Sequence, residues 1–168
     1  MSVLSKEEII KALKKGRVKI EPLDIGNIGP ASIDLTLGED FRVFKKAKGK
    51  LDIREDTDYV TLTKPVKGPI TLKHGEFILG ITEEKITLPE DICGHLSGRS
   101  RFARLGIIVH ATASFIQPGI DNKQVLEIYN LSKRTLVLHP GTRICQLSLN
   151  GMKGKSKYNG KFRDQLTV

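Results

Sequence analysis

The apolar and polar positions along the chain predict one helix followed by a long region of alternating residues. "LSKEEIIKALKKG" has apolar residues at helical spacing, with Ser5 as the predicted N-cap and Gly16 as the stop. After this helix the period changes to two. In "ASIDLTLG" the residues Ile33, Leu35 and Leu37 share one face, which is typical of a half-buried strand. The pattern therefore predicts a mainly β chain with a short N-terminal helix.

Further short apolar runs between turn residues predict a series of strands. They are "FRVF", "YVTLT", "GPITLK", "EFILGI", "KITLP", "ICGHL", "GIIVHATA", "QVLEIYN", "RTLVLHPG" and "RICQLSL". Many short strands at regular spacing favour a sandwich, a jelly roll or a distorted β-barrel. We expect a single domain over residues 1–168, with the helix in 1–17, the barrel in 18–150 and a basic C-terminal arm in 151–168, which is either a mobile arm or a solvated tail.

Composition and charge narrow the classes of partner without choosing among them. The 168 residues carry a formal net charge of +9, which favours polyanions such as nucleotides, nucleic acid or anionic membranes. Cys93 and Cys145 each lie in an apolar stretch, as expected for core residues in a reducing compartment. No apolar run reaches membrane-spanning length, so we expect a cytoplasmic protein with no membrane partner.

Several common catalytic signatures are missing from the sequence. His74 and Glu76 form a His-x-Glu pair, but the Pro-Cys-x-x-Cys partner of the zinc deaminases does not occur. No Gly-x-Ser-x-Gly elbow surrounds Ser97 or Ser100, and there is no phosphate-binding Walker loop. We therefore expect no protein-bound zinc and no serine nucleophile.

A basic turn is the first candidate for chemistry. "GRSRFARLG" places Arg99, Arg101 and Arg104 within six positions, flanked by two glycines. Guanidinium groups bind phosphate oxygens through paired hydrogen bonds, so this turn is either a site for an anionic ligand or a solvated basic bend.

A carboxylate in a strand is the second candidate. In "QVLEIYN" the alternation puts Val125, Glu127 and Tyr129 on one face, opposite Leu126 and Ile128. On a wet face Glu127 would be an ordinary solvated residue. Partly buried, it would have a raised pKa and would be a plausible general base.

The order of several motifs resembles the dCTP deaminase branch of the dUTPase-like superfamily. They are Gly-Arg-Ser, Ala-Arg-Leu-Gly, His-x-Thr-Ala and Leu-Glu-x-Tyr-Asn, within "GEFILGITEEKITLPEDICGHLSGRSRFARLGIIVHATASFIQPGIDNKQVLEIYN". The stretch "GRVKIEPLDIGNIGPASIDLTLGEDFRVF" resembles the same branch. The resemblance implies a distorted, jelly-roll-like β-barrel that forms a homotrimer with active sites between subunits. It also implies deamination of dCTP to dUTP and ammonia without zinc, with Mg²⁺ carried by the triphosphate and dTTP as a possible feedback inhibitor.

The same resemblance assigns catalytic roles to four residues. Glu127 would accept a proton from the water that attacks C4 of cytosine, and Arg104 would lie close to it. Ser100 would contact the triphosphate, and the backbone of Ala113 would help to hold the water.

Substrate contacts are implied for a wider set of residues: Arg99, Ser100, Arg101, Arg104, Phe115, Gln117, Gln146, Tyr158, Lys161 and Gln165. Two of them depart from the family pattern. Gln117 stands where the family has an aspartate, and a neutral amide cannot act as a base for dUTP hydrolysis. Phe115 stands where deaminases often have arginine and bifunctional relatives have tryptophan. The arm is also shorter than the family's between Asn159 and Lys161.

The sequence thus predicts a dCTP deaminase in pyrimidine deoxynucleotide biosynthesis. A dUTP pyrophosphatase, or an enzyme with both activities, is the first alternative. A catalytically inactive nucleotide sensor on the same fold is another. A more distant alternative is a nucleic-acid-binding protein that uses the basic tail, with Tyr158 and Phe162 stacking on bases.

Overall fold

The computed structural model describes residues 2–168, which form twelve strands and three short α-helices. In chain order they are β1 (Ser2–Val3), α1 (Lys6–Lys14), β2 (Lys19–Glu21), β3 (Ile33–Phe44), α2 (Tyr59–Leu62), β4 (Thr63–Lys67), β5 (Ile70–Leu72), β6 (Phe77–Thr87), β7 (Ile92–Gly98), α3 (Ser100–Ala103), β8 (Ile107–Ile108), β9 (Phe115–Ile116), β10 (Asp121–Asn130), β11 (Leu136–Leu138) and β12 (Arg143–Gly151). None of these helices is long and apolar enough to cross a bilayer.

One large antiparallel sheet dominates the molecule. Its strands run in the order β8–β10–β6–β3–β12–β7–β9, while β1, β2 and β4 pair with β12, β6 and β3 respectively. Strands β11 and β5 form a separate two-stranded ribbon. The large sheet curls into a half-barrel. The prediction of a mainly β chain with a curled sheet and a short N-terminal helix is therefore confirmed.

The core lies inside the curl of the sheet, where the alternation of the sequence places the apolar side chains. Ile33, Leu35 and Leu37 of β3 are fully buried, as their spacing predicts. The central strands contribute further fully buried residues: Phe41, Ile86, Leu126, Ile128, Leu147 and Leu149. Burial of such side chains stabilises the fold by about 1.5–3 kcal/mol each.

Helix α1 begins where the sequence predicts, because the Ser5 hydroxyl accepts a hydrogen bond from the Glu8 backbone N–H at 3.5 Å. The Glu8 carboxylate binds Lys11. The predicted strand "YVTLT" is wrong over its first four residues, which form α2. Asp58 caps that turn by accepting from the Val60 N–H at 3.1 Å, and this local hydrogen bond overrides the β-branched pattern.

The stretches "EFILGI" and "KITLP" belong to one continuous strand, β6, instead of two. The strand irregularity between them turns the Glu84 side chain inward, where it is 4% exposed. Both carboxylate oxygens accept from the Thr36 N–H, at 2.9 and 3.0 Å. Burial raises the pKa of Glu84 against the opposing effect of this hydrogen bond. A side chain thus takes the place of a strand carbonyl at this point of the ladder.

Asn130 closes the end of β10 that leads away from the cavity described below. It is fully buried, and its side chain donates to the carbonyls of Leu72 (2.9 Å) and Arg134 (2.8 Å). Its Oδ1 accepts from the backbone and the hydroxyl of Ser132.

We expect Asn130→Ala to lower the free energy of unfolding by about 3 kcal/mol, because it leaves buried carbonyl and N–H groups without partners. Urea unfolding followed by circular dichroism measures the change. Asn159→Ala, at an exposed asparagine of the arm, is the matched control and should change stability by less than about 0.5 kcal/mol. Equal stabilities for the two variants would contradict this role of Asn130.

Candidate active site

A cavity of about 290 Å³ opens beside β10. Its apolar wall comprises Tyr59, Leu79, Ala113, Phe115, Ile116, Ile120, Val125, Tyr158 and Phe162, and its polar lining comprises His110, Gln117, Asn122, Lys123, Gln124, Glu127 and Gln165. Apolar walls with a few convergent polar groups are the usual features of a small-molecule site. The cavity combines residues from α2, β6, β9, β10 and the C-terminal arm, which are distant in the sequence.

Glu127 is the carboxylate of this cavity. It lies on the opposite face of β10 from the fully buried Leu126 and Ile128, as the alternation predicts. The segment between β8 and β9 packs against it. The Thr112 N–H donates to Oε2 at 2.5 Å, and the Thr112 hydroxyl donates to the carboxylate at 2.9 and 3.0 Å. The side chain is therefore half-buried and held in one orientation.

Opposing effects act on the pKa of Glu127. Burial raises the pKa, but the two donors of Thr112 and the interaction with His110 outweigh burial and hold the pKa below its ordinary value. The expected rise in basicity on partial burial is thus wrong for this chain. Glu127 is a carboxylate at neutral pH, which is the protonation state that a general base needs.

His110 lies in the same cavity wall. Both of its ring nitrogens are buried, and neither has a hydrogen-bond partner within residues 2–168. Buried polar atoms are normally satisfied, so an unpartnered imidazole in a cavity is available to a bound molecule or water.

The C-terminal arm forms one side of the cavity. Its backbone binds β10 and the preceding turn, through Tyr158 N–H to Pro118 O at 2.9 Å, Asp121 N–H to Arg163 O at 3.0 Å and Lys123 N–H to Gln165 O at 2.9 Å. These bonds place Tyr158, Phe162 and Gln165 in the lining. At Gly160 the arm passes close to the Tyr158 ring, so a Cβ atom there would require the Tyr158 side chain to move.

The share of the chain that matches a family model decides which family the chain belongs to. A family model described as dCTP deaminase-like matches residues 3–152. The chain belongs to this family.

Relatives of known name agree with this assignment. The chain is 38% identical over 172 residues to a protein of Methanosphaera stadtmanae named "dCTP deaminase, dUMP-forming", covering 98% of this chain and 87% of that one. It is 41% identical to a Parafrankia protein of the same name, covering 97% and 86%. The fold matches a crystal structure of 2′-deoxycytidine 5′-triphosphate deaminase from Agrobacterium tumefaciens with a TM-score of 0.69 at 24% identity. That match covers 88% of this chain and 47% of the other.

The structure brings together about half of the residues that the dCTP deaminase resemblance singles out. Those in the cavity are Glu127, Ala113, Phe115, Gln117, Tyr158 and Gln165. Those outside it are Arg99, Ser100, Arg101, Arg104, Gln146 and Lys161. Ser100 begins the short helix α3, and Arg101 and Arg104 are exposed on the same turn. Lys161 is exposed over the Phe162 ring.

Arg99 and Gln146 are occupied within the chain. The Arg99 guanidinium forms an ion pair with Asp34 at 3.0 Å and donates to the Arg143 carbonyl at 2.7 Å. The Gln146 amide donates to the same aspartate at 3.3 Å. Asp34 therefore fixes both side chains on the β3–β12 face of the sheet.

Sequence reasoning missed six polar or aromatic residues of the site: His110, Thr112, Tyr59, Asn122, Lys123 and Gln124. Thr112 contacts Glu127, and the other five line the cavity. In this set, His110 and Thr112 are the two with a sequence motif. The first two stand in the His-x-Thr-Ala motif immediately before Ala113, which was a usable signal. Tyr59 carried no signal, because only the packing of α2 brings it to the cavity. Asn122 lies on β10 on the far side of a register irregularity between Lys123 and Val125, so simple alternation from Glu127 does not predict which face it occupies. No group of three or more His, Cys, Asp or Glu side chains within residues 2–168 is arranged to hold a metal ion.

We expect Thr112→Val to raise the pKa of Glu127, because it removes the hydroxyl donor that favours the ionised form. Carboxyl ¹³C NMR on selectively labelled protein measures the pKa. A titration from about pH 3 to pH 8 covers the ordinary pKa values of glutamate side chains. Thr71→Val, at an exposed threonine of β5, is the control. An unchanged or lowered pKa in Thr112→Val would contradict the cause assigned to the shift.

Proposed function

We propose that this chain hydrolyses the amino group of dCTP, releasing ammonia, with Glu127 as the general base. The observation that carries the proposal is the ionised carboxylate held by Thr112 at the wall of a largely apolar cavity. Membership of the dCTP deaminase-like family supports the choice of substrate.

The proposed reaction balances without a protein-bound metal. Water adds its oxygen to C4 of cytosine and transfers one proton to Glu127, which passes it to the ring nitrogen N3. Glu127 next takes the remaining proton from the C4 hydroxyl group of the adduct. Glu127 then passes its proton to the departing amine, and the C4–N bond breaks to give dUTP and ammonia. When the cytosine ring enters the cavity, it displaces water around Glu127. The loss of this water raises the basicity of the carboxylate in the substrate complex. His110 and Ala113 line the same cavity as Glu127, and we propose that the imidazole and the backbone of Ala113 hold the attacking water.

The triphosphate of the substrate needs positively charged partners, and the cavity lining contains few of them. Lys123 is the one Lys or Arg residue in its lining. We propose that Ser100 and Arg101 of a neighbouring subunit contact the triphosphate and that Arg104 of that subunit lies beside Glu127, since all three are exposed on the α3 turn of their own chain. Triphosphate oxygens are the hard ligands that Mg²⁺ prefers, so we expect the ion to arrive with the nucleotide.

An apolar surface beside that turn supports self-association. Leu105, Leu131 and Val137 are 62%, 53% and 53% exposed, and a groove lined by Leu105, Phe102 and Val137 runs next to α3. Apolar patches of this kind mark interaction surfaces. We propose that this face forms the contacts of a homotrimer whose active sites lie between subunits.

The final product of the reaction is either dUTP or dUMP. The relatives named as dUMP-forming favour a second step that cleaves dUTP to dUMP and pyrophosphate. Gln117 lines the cavity as a neutral amide and cannot activate water for that step. We propose that the enzyme releases dUTP after deamination. Chromatography that quantifies dUTP and dUMP decides whether a second step cleaves dUTP. Regulation by dTTP is tested in the same assay.

We expect Glu127→Gln to lower deamination of dCTP by at least about a thousandfold, because the amide cannot accept a proton. Ammonia release and nucleotide chromatography measure turnover, and calorimetry with dCTP measures binding, which should persist. Glu83→Gln, at an exposed glutamate of β6, is the control and should keep full activity. Near-normal turnover in Glu127→Gln would refute the assignment. A wild-type chain that shifts labelled oligonucleotides but leaves dCTP intact would instead support nucleic-acid binding.

We expect inactive Arg104→Ala and Glu127→Gln subunits to restore activity when they are mixed and reassembled. If each site takes Glu127 from one subunit and Arg104 from its neighbour, random trimers contain intact sites at about a quarter of the positions. Activity is measured after refolding equal amounts of the two variants together. No recovery in mixed trimers would contradict shared sites.

A further inference from the structure

The amide of Asn122 joins the C-terminal arm to the strand that carries Glu127. Asn122 is 7% exposed and lies near the start of β10. Its Nδ2 donates to the Phe162 carbonyl of the arm at 2.6 Å. On β10, Asn122 stands between Asp121 and Lys123, whose backbone N–H groups donate to the arm at Arg163 and Gln165.

The side-chain amide of Gln124 fixes the orientation of the Asn122 amide. The Gln124 side chain donates from Nε2 to Asn122 Oδ1 at 2.5 Å. With its oxygen engaged in this way, Asn122 presents its NH₂ group to Phe162 and its oxygen away from that carbonyl. The Gln124 backbone is itself held, because its N–H donates to the Thr82 hydroxyl at 2.9 Å.

The residues that this pair secures belong to the cavity. Phe162 and Gln165 line it from the arm, and Asn122 and Gln124 line it from β10. Loss of the Asn122–Phe162 bond would leave a buried amide and a carbonyl unpaired, which favours release of the arm over a poorly bonded closed state.

We propose that Asn122 is a positioning residue that holds the arm closed over the cavity, and that Gln124 sets the orientation of its amide. The proposal rests on the proposed function for its effect on substrate. The closed state itself is a property of the free chain, in which these bonds are already formed.

Two substitutions reverse the polarity of the pair without changing its size much. Asn122→Asp replaces the donor that faces Phe162 by a carboxylate oxygen, which repels the carbonyl. Gln124→Glu replaces the donor that faces Asn122 by an acceptor, which favours the opposite orientation of the Asn122 amide. Asn159→Asp makes the same chemical change at an exposed position of the arm and is the matched control.

Hydrogen–deuterium exchange on the full chain without nucleotide measures closure, in peptides that contain the amides of Asp121 and Lys123. We expect exchange about tenfold faster in Asn122→Asp and Gln124→Glu than in the wild type, and unchanged in Asn159→Asp. Wild-type exchange in Asn122→Asp would overturn the proposal, and wild-type exchange in Gln124→Glu would overturn the part assigned to Gln124.

Steady-state kinetics with dCTP separates positioning from general damage. We expect the KM of Asn122→Asp to rise about tenfold while kcat stays within about twofold, because the chemistry at Glu127 is untouched once the arm has closed. Below the pKa of the new carboxyl group its O–H can donate to Phe162, so the KM ratio to Asn159→Asp should fall as the pH is lowered. A loss confined to kcat, or a KM ratio that does not change with pH, would contradict positioning. If the wild type does not deaminate dCTP, the proposed function fails, and the exchange measurement still decides whether Asn122 closes the arm.

Discussion

The contact between Thr112 and Glu127 joins two parts of the chain that the sheet alone would not connect. Glu127 comes from the central region of β10, and Thr112 comes from the irregular segment between β8 and β9. The carboxylate needs hydrogen-bond donors because it is half-buried, and the irregular segment supplies a backbone N–H and a hydroxyl. In meeting that need, the contact also orients the carboxylate and closes one wall of the cavity.

Two elements complete the cavity around that contact. The arm supplies the opposite wall by adding backbone hydrogen bonds to the start of β10, and α2 contributes Tyr59. Strand β10 therefore both carries the Glu127 carboxylate and binds the C-terminal arm that covers it. This arrangement links the exclusion of water from Glu127 to the position of the arm.

The parts of this account that follow from local pattern could be read from the sequence. Alternation identifies the buried face of β3 and the face of β10 that bears Glu127, because a pleated strand imposes a period of two. Capping chemistry identifies the start of α1 at Ser5. The same rules fail at "YVTLT", where one side-chain cap at Asp58 outweighs strand propensity. The pKa of Glu127 could not be read either, since its direction depends on donors fifteen residues away in the chain. The arginine turn shows the limit most clearly: Arg99 is paired with Asp34 inside the chain, whereas Arg104 is exposed, and spacing alone does not distinguish them.

The central claim is that cytosine enters the cavity with C4 facing position 127. A crystal structure of the Glu127→Gln variant with dCTP and Mg²⁺ tests it most directly, since that variant is expected to bind the nucleotide without consuming it. The account predicts the pyrimidine ring between β10 and the arm, its C4 atom next to residue 127, and the triphosphate directed toward the α3 turn of a neighbouring subunit. A pyrimidine ring bound outside this cavity, with residue 127 still held by Thr112 and no base near it, would contradict the claim.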